Sequence, residues 1–150
     1  MSNVNVIKRL KLKYFSGATA AILGGIAIYI FFRDINNMLL FCYIPKWSFL
    51  NTLNHPLKIG PFFSNILIFN LPYGMWCLSG LLFIRAIWLT NTKVGKYYRI
   101  VFIFLIIFYI FLKLPGIIPG TFDVLDLFFM AFFAFLESII FNRFIRRKIP

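Results

Sequence analysis

The sequence reads as an all-α polytopic membrane protein, a four-helix transmembrane bundle with an interfacial or re-entrant segment between the first and second spans. Three features lead there. The 150 residues are 61% hydrophobic and only 13% charged, with 21 Phe and a mean hydropathy of +0.87, whereas a soluble domain is about half apolar and a quarter charged. The apolar residues fall into long runs that a chain of this length cannot bury in a water-soluble core. The cations gather at the ends of those runs, which is the placement expected of topology signals.

That placement also decides how the net charge of +12 is read. A nucleic-acid binder needs a basic face with room for a strand or duplex. Here Lys8, Arg9, Lys11 and Lys13, then Lys93, Lys96 and Arg99, then Arg143, Arg146, Arg147 and Lys148 flank apolar segments instead. No nucleic-acid partner is expected; membrane lipids are, with a second copy or other membrane subunits as further partners.

The chain is taken as a single membrane domain, 1–150. The first span covers about 14–32, long enough to cross about 30 Å of hydrocarbon. Its Gly17, Ala21 and Gly24 recur at steps of four and three, spacing that admits a close neighbouring helix, though glycine is also simply common in membrane helices. A signal peptide would have a shorter apolar core and a small-residue cleavage site; Phe31-Phe32-Arg33-Asp34 stands there instead, so the helix is expected to be retained. The segment 33–69 is broken by Pro45, Pro56, Gly60 and Pro61 and is placed at the outer surface. Tyr43 and Trp47 suit the aromatic belt there.

The second span, about 71–89, opens on Asn70-Leu71-Pro72, with Asn70 as its expected N-cap and Pro72 in the first turn. The third, about 97–114, carries Arg99 and Lys113 near its ends, where both can snorkel to the surfaces. Leu114-Pro115-Gly116 ends it. The fourth, about 122–142, has Asp123 and Asp126 in its first turn, where unpaired N–H groups and the helix dipole favour carboxylates. Cation counting puts both basic ends, 1–13 and 143–150, in the cytoplasm. That orientation leaves Arg33, Lys46, Lys58 and Lys113 outside, and the Phe, Ile, Lys and Asn bias points to the inner membrane of an AT-rich bacterium.

Glu137, in the middle of the fourth span, is the ionisable group that most needs an account, because intramembrane charge is expensive. Arg85 is its candidate partner. Asp126 lies eleven residues before Glu137, close to three helical turns, so both share a face. Asn70, Tyr73, Trp76, Lys113, Asp123 and Asp126 form a candidate polar cap or pocket on the outer side, because the second and fourth helices start at the same surface. Its bland reading is a tie between two helix ends. Catalysis has little to build on: His55 is the lone histidine, in a loop before Pro56, and no nucleophile elbow or phosphate loop is present. No metal or cofactor is expected, and Cys42 and Cys77 read as free structural thiols.

Two motifs carry a resemblance. Leu71-Pro72-Tyr73-Gly74-Met75-Trp76 and Ile118-Pro119-Gly120-Thr121-Phe122-Asp123-Val124-Leu125-Asp126 resemble the "LPDGLW"-like helix start and the "PGTFDxxD" opening of the last helix in VanZ-like membrane proteins. The resemblance implies a four-helix membrane protein, similar to one linked to glycopeptide-antibiotic resistance. Two positions depart from it. Tyr73 stands where the relatives place an Asp, and the apolar and basic run Tyr109 to Lys113 replaces their polar residues, which implies a degenerate or repurposed site. The resulting expectation is a non-enzymatic envelope protein or membrane-assembly subunit. A small transporter or channel-like protein, and less so a membrane enzyme acting on a lipid-linked substrate, remain as alternatives.

Overall fold

The computed structural model describes residues 3–32, 66–117 and 123–144, and every described element is helical. The elements are α1 (Asn3–Phe32), a π-helical turn (Ile66–Asn70), α2 (Leu71–Ile87), α3 (Thr92–Phe111) and α4 (Val124–Phe144). Two helical stretches, Val4–Phe32 and Thr92–Phe111, are long and apolar enough to cross a membrane. The expected outer-segment residues Tyr43, Trp47 and His55, together with Cys42, lie outside the described residues.

Local chemistry accounts for most boundaries. The side chain of Asn91 accepts the Val94 N–H at 3.2 Å and starts α3. After Phe111 the chain leaves the helix through turns, and Gly116 takes φ +71°, a left-handed conformation that glycine adopts without a side-chain penalty. The start of α2 differs from expectation. Asn70 has helical φ and ψ and makes no capping bond, because the backbone is already helical from Ile66 through the π turn. Its side chain is thereby released to bond elsewhere.

Helix α2 is the centre. It runs antiparallel to α1: Leu82 packs against Gly17, the Ser79 hydroxyl donates to the Ala18 carbonyl at 2.8 Å, and Met75 and Trp76 lie over Gly24 and Gly25. The small residues of α1 therefore do face a neighbour, within a core that includes Tyr14, Ala18, Leu82 and Ala86. Relative to α4 the direction is parallel, Asn70 meeting Asp123 near the start of both helices and Arg85 meeting Glu137 toward their other ends, with the Phe133 ring packed on Gly74 between them. Relative to α3 it is antiparallel, with Phe102 over Gly80. Cys77, Leu81, Ile110 and Met130 form the core shared by α2, α3 and α4.

Two glycines illustrate how unequal such contacts are. A Cβ on Gly17 would meet only Leu82 Cδ1 at 3.6 Å, ordinary van der Waals contact, whereas one on Gly74 would run into the Phe133 ring and sit 3.2 Å from the Phe129 carbonyl oxygen. Gly74→Ala should therefore push α2 and α4 apart and destabilise by about 1–3 kcal/mol, while Gly17→Ala is tolerated. Thermal unfolding of the purified variants in detergent checks the contrast.

The partition of side chains is inverted with respect to a soluble bundle. Asn70, Ser79, Arg85, Lys113, Asp126 and Glu137 are buried. Phe104, Phe108, Phe128, Phe132 and Phe135 are exposed, Phe104 at 66% and Phe135 at 64%.

Candidate functional site

The buried polar groups form two clusters at opposite ends of α2. The first is built where α2 and α4 begin. Asp123 precedes α4, and its Oδ1 accepts the Leu125 N–H at 2.9 Å, giving the helix its cap. Its Oδ2 accepts from Asn70 Nδ2 at 3.1 Å, so one carboxylate caps α4 and ties it to the entrance of α2. One turn further into each helix, Lys113 Nζ donates to Tyr73 Oη at 3.0 Å and lies 3.7 Å from Asp126 Oδ2. The ammonium also lies 4.4 Å from the Tyr73 ring centroid and 5.7 Å from that of Tyr109, in cation–π range.

Lys113 was expected to snorkel, and it does not: it is 5% exposed, turned inward onto Asp126, which is 3% exposed. The physical reason is that α3 ends at Phe111, so the following turn can bring Lys113 back over the bundle toward the carboxylate. Trp76 departs from the expected pocket as well. It faces α1, lying over Gly25 with its ring 5.2 Å from that of Tyr29 and edge-on to Tyr73 at 5.7 Å. Its indole N–H is buried without a hydrogen-bond partner among the described residues.

The second cluster joins the other ends of α2 and α3 to the later half of α4. Arg85 Nε donates to Glu137 Oε1 at 2.7 Å, and the Glu137 side chain has no exposed surface. Arg99 also reaches this carboxylate, through Nη2 to Oε2, and donates to Ser138 Oγ at 3.1 Å. Arg99, read from sequence as a snorkelling end residue, is thus an interior ligand of Glu137. A signal for this was present: Arg99 shares a helical face with Ile103, Ile106 and Ile110, all of which pack in the core. Tyr14, 4% exposed, lies within electrostatic reach of Arg85, Glu137 and Arg99. Its hydroxyl and Arg99 Nε are buried with no hydrogen-bond partner among the described residues. Ser138 and Tyr14 carried no such signal, since neither ranks as unusual in a membrane helix.

The two clusters differ in charge. Lys113 and Asp126 balance one another, and Asp123 is held by dipolar groups. In the second, two guanidinium groups share one carboxylate. Cys77, between the clusters, is a buried free thiol whose sulfur lies 3.9 Å from the Met130 carbonyl oxygen. An apolar cavity of about 300 Å³ lies beside it, lined by Ile103, Ile107, Leu127, Met130, Ala131 and Ala134. Among the described residues no group of three or more His, Cys, Asp and Glu side chains gathers to hold a metal.

Compared with known proteins, the chain matches no family model, no curated protein and no solved structure.

Proposed function

We propose that the chain is a four-span inner-membrane protein of VanZ-like type, with both termini in the cytoplasm. In this reading it acts without catalysis, as an envelope protein or as a subunit of a larger membrane assembly. The inverted partition carries the reading: the charged groups turn inward onto one another while Phe side chains line the exterior. In water that arrangement would expose apolar surface and desolvate ions at the same time; in lipid both costs fall away or reverse.

Helix lengths are compatible with it. The 21 residues of α4 rise about 32 Å. The 17 residues of α2 rise about 26 Å, and the π turn before them adds what a crossing needs. The exposed basic residues Lys8, Arg9 and Lys13 of α1 and Lys93 and Lys96 of α3 share one end of the bundle, which the charge bias assigns to the cytoplasm. The VanZ-like resemblance rests on the two motifs, Leu71 to Trp76 and Ile118 to Asp126, whose Tyr73, Asp123 and Asp126 take part in the first cluster. A non-catalytic role is favoured over transport because the buried polar groups close on one another rather than line an open route.

Site-specific labelling of single cysteines in intact cells tests the threading, after Cys42 and Cys77 are replaced by serine and alanine. Reporters at Ser2 and Ile149 should resist a membrane-impermeant maleimide, and one at Lys46 should react. Labelling of Ile149 from outside would overturn the topology. Purification in mild detergent, with identification of co-purifying membrane subunits, tests the assembly role.

A further inference from the structure

Helices α3 and α4 both pack on α2, yet their backbones stay apart from one another along most of their length. Charge ties them at the two ends of α3: Arg99 reaches Glu137 and Ser138 near one, and Lys113 reaches Asp126 just beyond the other. Between these ties lies the apolar cavity of about 300 Å³. The sequence of α4 makes room for it. From Phe128 to Phe135 the helix carries five Phe, and Ala131 and Ala134, the two small residues of that run, both stand on the cavity wall.

Close-packed proteins keep few voids larger than a water molecule, because every atom that lines one loses contacts. Water is a poor filler here: the lining is aliphatic apart from sulfur, and the Cys77 thiol is already directed at the Met130 carbonyl oxygen. An apolar cavity of about 150 Å³ is enough to hold one benzene molecule, and this one is about twice that size. Its shape is a slot. The α4 wall, Leu127 to Ala134, rises about 10 Å along the helix axis. Cys77 and Met130 are buried at the floor, whereas Ile107 and Ala131 are exposed at the mouth. The exposed side chains of Phe104, Phe128 and Phe135 lie one helical turn from these mouth residues, so the slot opens on the Phe-lined exterior.

We propose that this slot holds one acyl chain of a membrane phospholipid, entering sideways between α3 and α4. The inference rests on the membrane reading of the chain, under which the mouth opens into hydrocarbon and acyl chains are the molecules at hand. Recognition is of the chain and not of a headgroup: its methylenes supply the contacts that Ile103, Leu127, Met130 and Ala134 lack on one side, and no charged residue lines the slot. The lipid thereby fills the middle of a gap whose width the ion pairs set at either end.

Photolabelling in vesicles tests it, with a phosphatidylcholine that carries a diazirine midway along one acyl chain and mass spectrometry to locate the adducts. Adducts on the exposed Phe104, Phe128 and Phe135 check the membrane reading by themselves. Adducts on the buried Cys77 and Met130, which bulk lipid does not reach, report the slot. Both sets are expected in the wild-type protein. Ala131→Phe, at an exposed position on the wall, should cut labelling of Cys77 and Met130 about fivefold and leave that of the three Phe residues unchanged. Ala134→Leu, half-buried on the same wall, should do the same. Labelling of the Phe residues without Cys77 and Met130 would overturn the proposal and leave the membrane reading standing, whether a second copy or another segment of the chain covers the slot. Undiminished labelling of Cys77 and Met130 in both variants would overturn it as well. Absence of adducts on the Phe residues would remove the membrane reading and the proposal together.

Discussion

Glu137→Gln is expected to be the most damaging single substitution in the chain, costing about 3–5 kcal/mol of stability. The carboxylate is wholly buried and receives Arg85 on one oxygen and Arg99 on the other. Glutamine keeps the shape but removes the carboxylate charge with which both guanidinium groups pair. It also turns an amide N–H₂ toward one of them. The loss is that of two buried ion pairs rather than of one hydrogen bond. Arg99→Gln is expected to cost less, because Arg85 and Glu137 then remain as a one-to-one pair at 2.7 Å. Denaturation by SDS in mixed micelles, followed by tryptophan fluorescence, should place the variants in that order. A Glu137→Gln protein as stable as wild type would show that the cluster does not hold the helices.

The second large effect concerns the opposite end. Lys113→Met should destabilise by about 2–4 kcal/mol, since it strands the Asp126 carboxylate and removes the ammonium that donates to the Tyr73 hydroxyl. Asp126→Asn is milder in charge terms but strands Lys113 in its place. The double variant Lys113→Met with Asp126→Leu should recover much of the loss, because a buried ion pair is often no better than apolar side chains of similar size. Thermal unfolding of the two single variants and the double variant forms a cycle, and simple additivity in it would contradict direct coupling at 3.7 Å. Activity offers a separate readout. If the double variant folds but no longer co-purifies with the membrane subunits of the proposed assembly, the cluster has a role beyond tying α2 to α4.

Much of this arrangement was readable from composition, charge placement and spacing. Four helices, the inward demand of Glu137 and the common starting surface of α2 and α4 all follow from local rules. A crossing helix must be apolar along its own length, cations must sit near its ends, and an isolated charge must find a partner of opposite sign. Such constraints act residue by residue, so they leave a mark in the string of letters.

The rotation of each helix about its axis leaves almost none. Most faces of α3 and α4 are apolar, and hydrophobicity alone does not say which of them turns inward. That orientation comes from shape: Phe102 over Gly80, Phe133 over Gly74, Trp76 over Gly25. Once it is set, Arg99 is carried to Glu137 instead of the surface, Lys113 returns to Asp126, and Trp76 turns to α1. Asn70 changes partner for a related reason, since the π turn makes its backbone part of a helix and frees its amide for Asp123. The apolar run and flanking charges of each segment dictate that it is a helix, and side-chain interlocking between segments dictates whom each polar group meets.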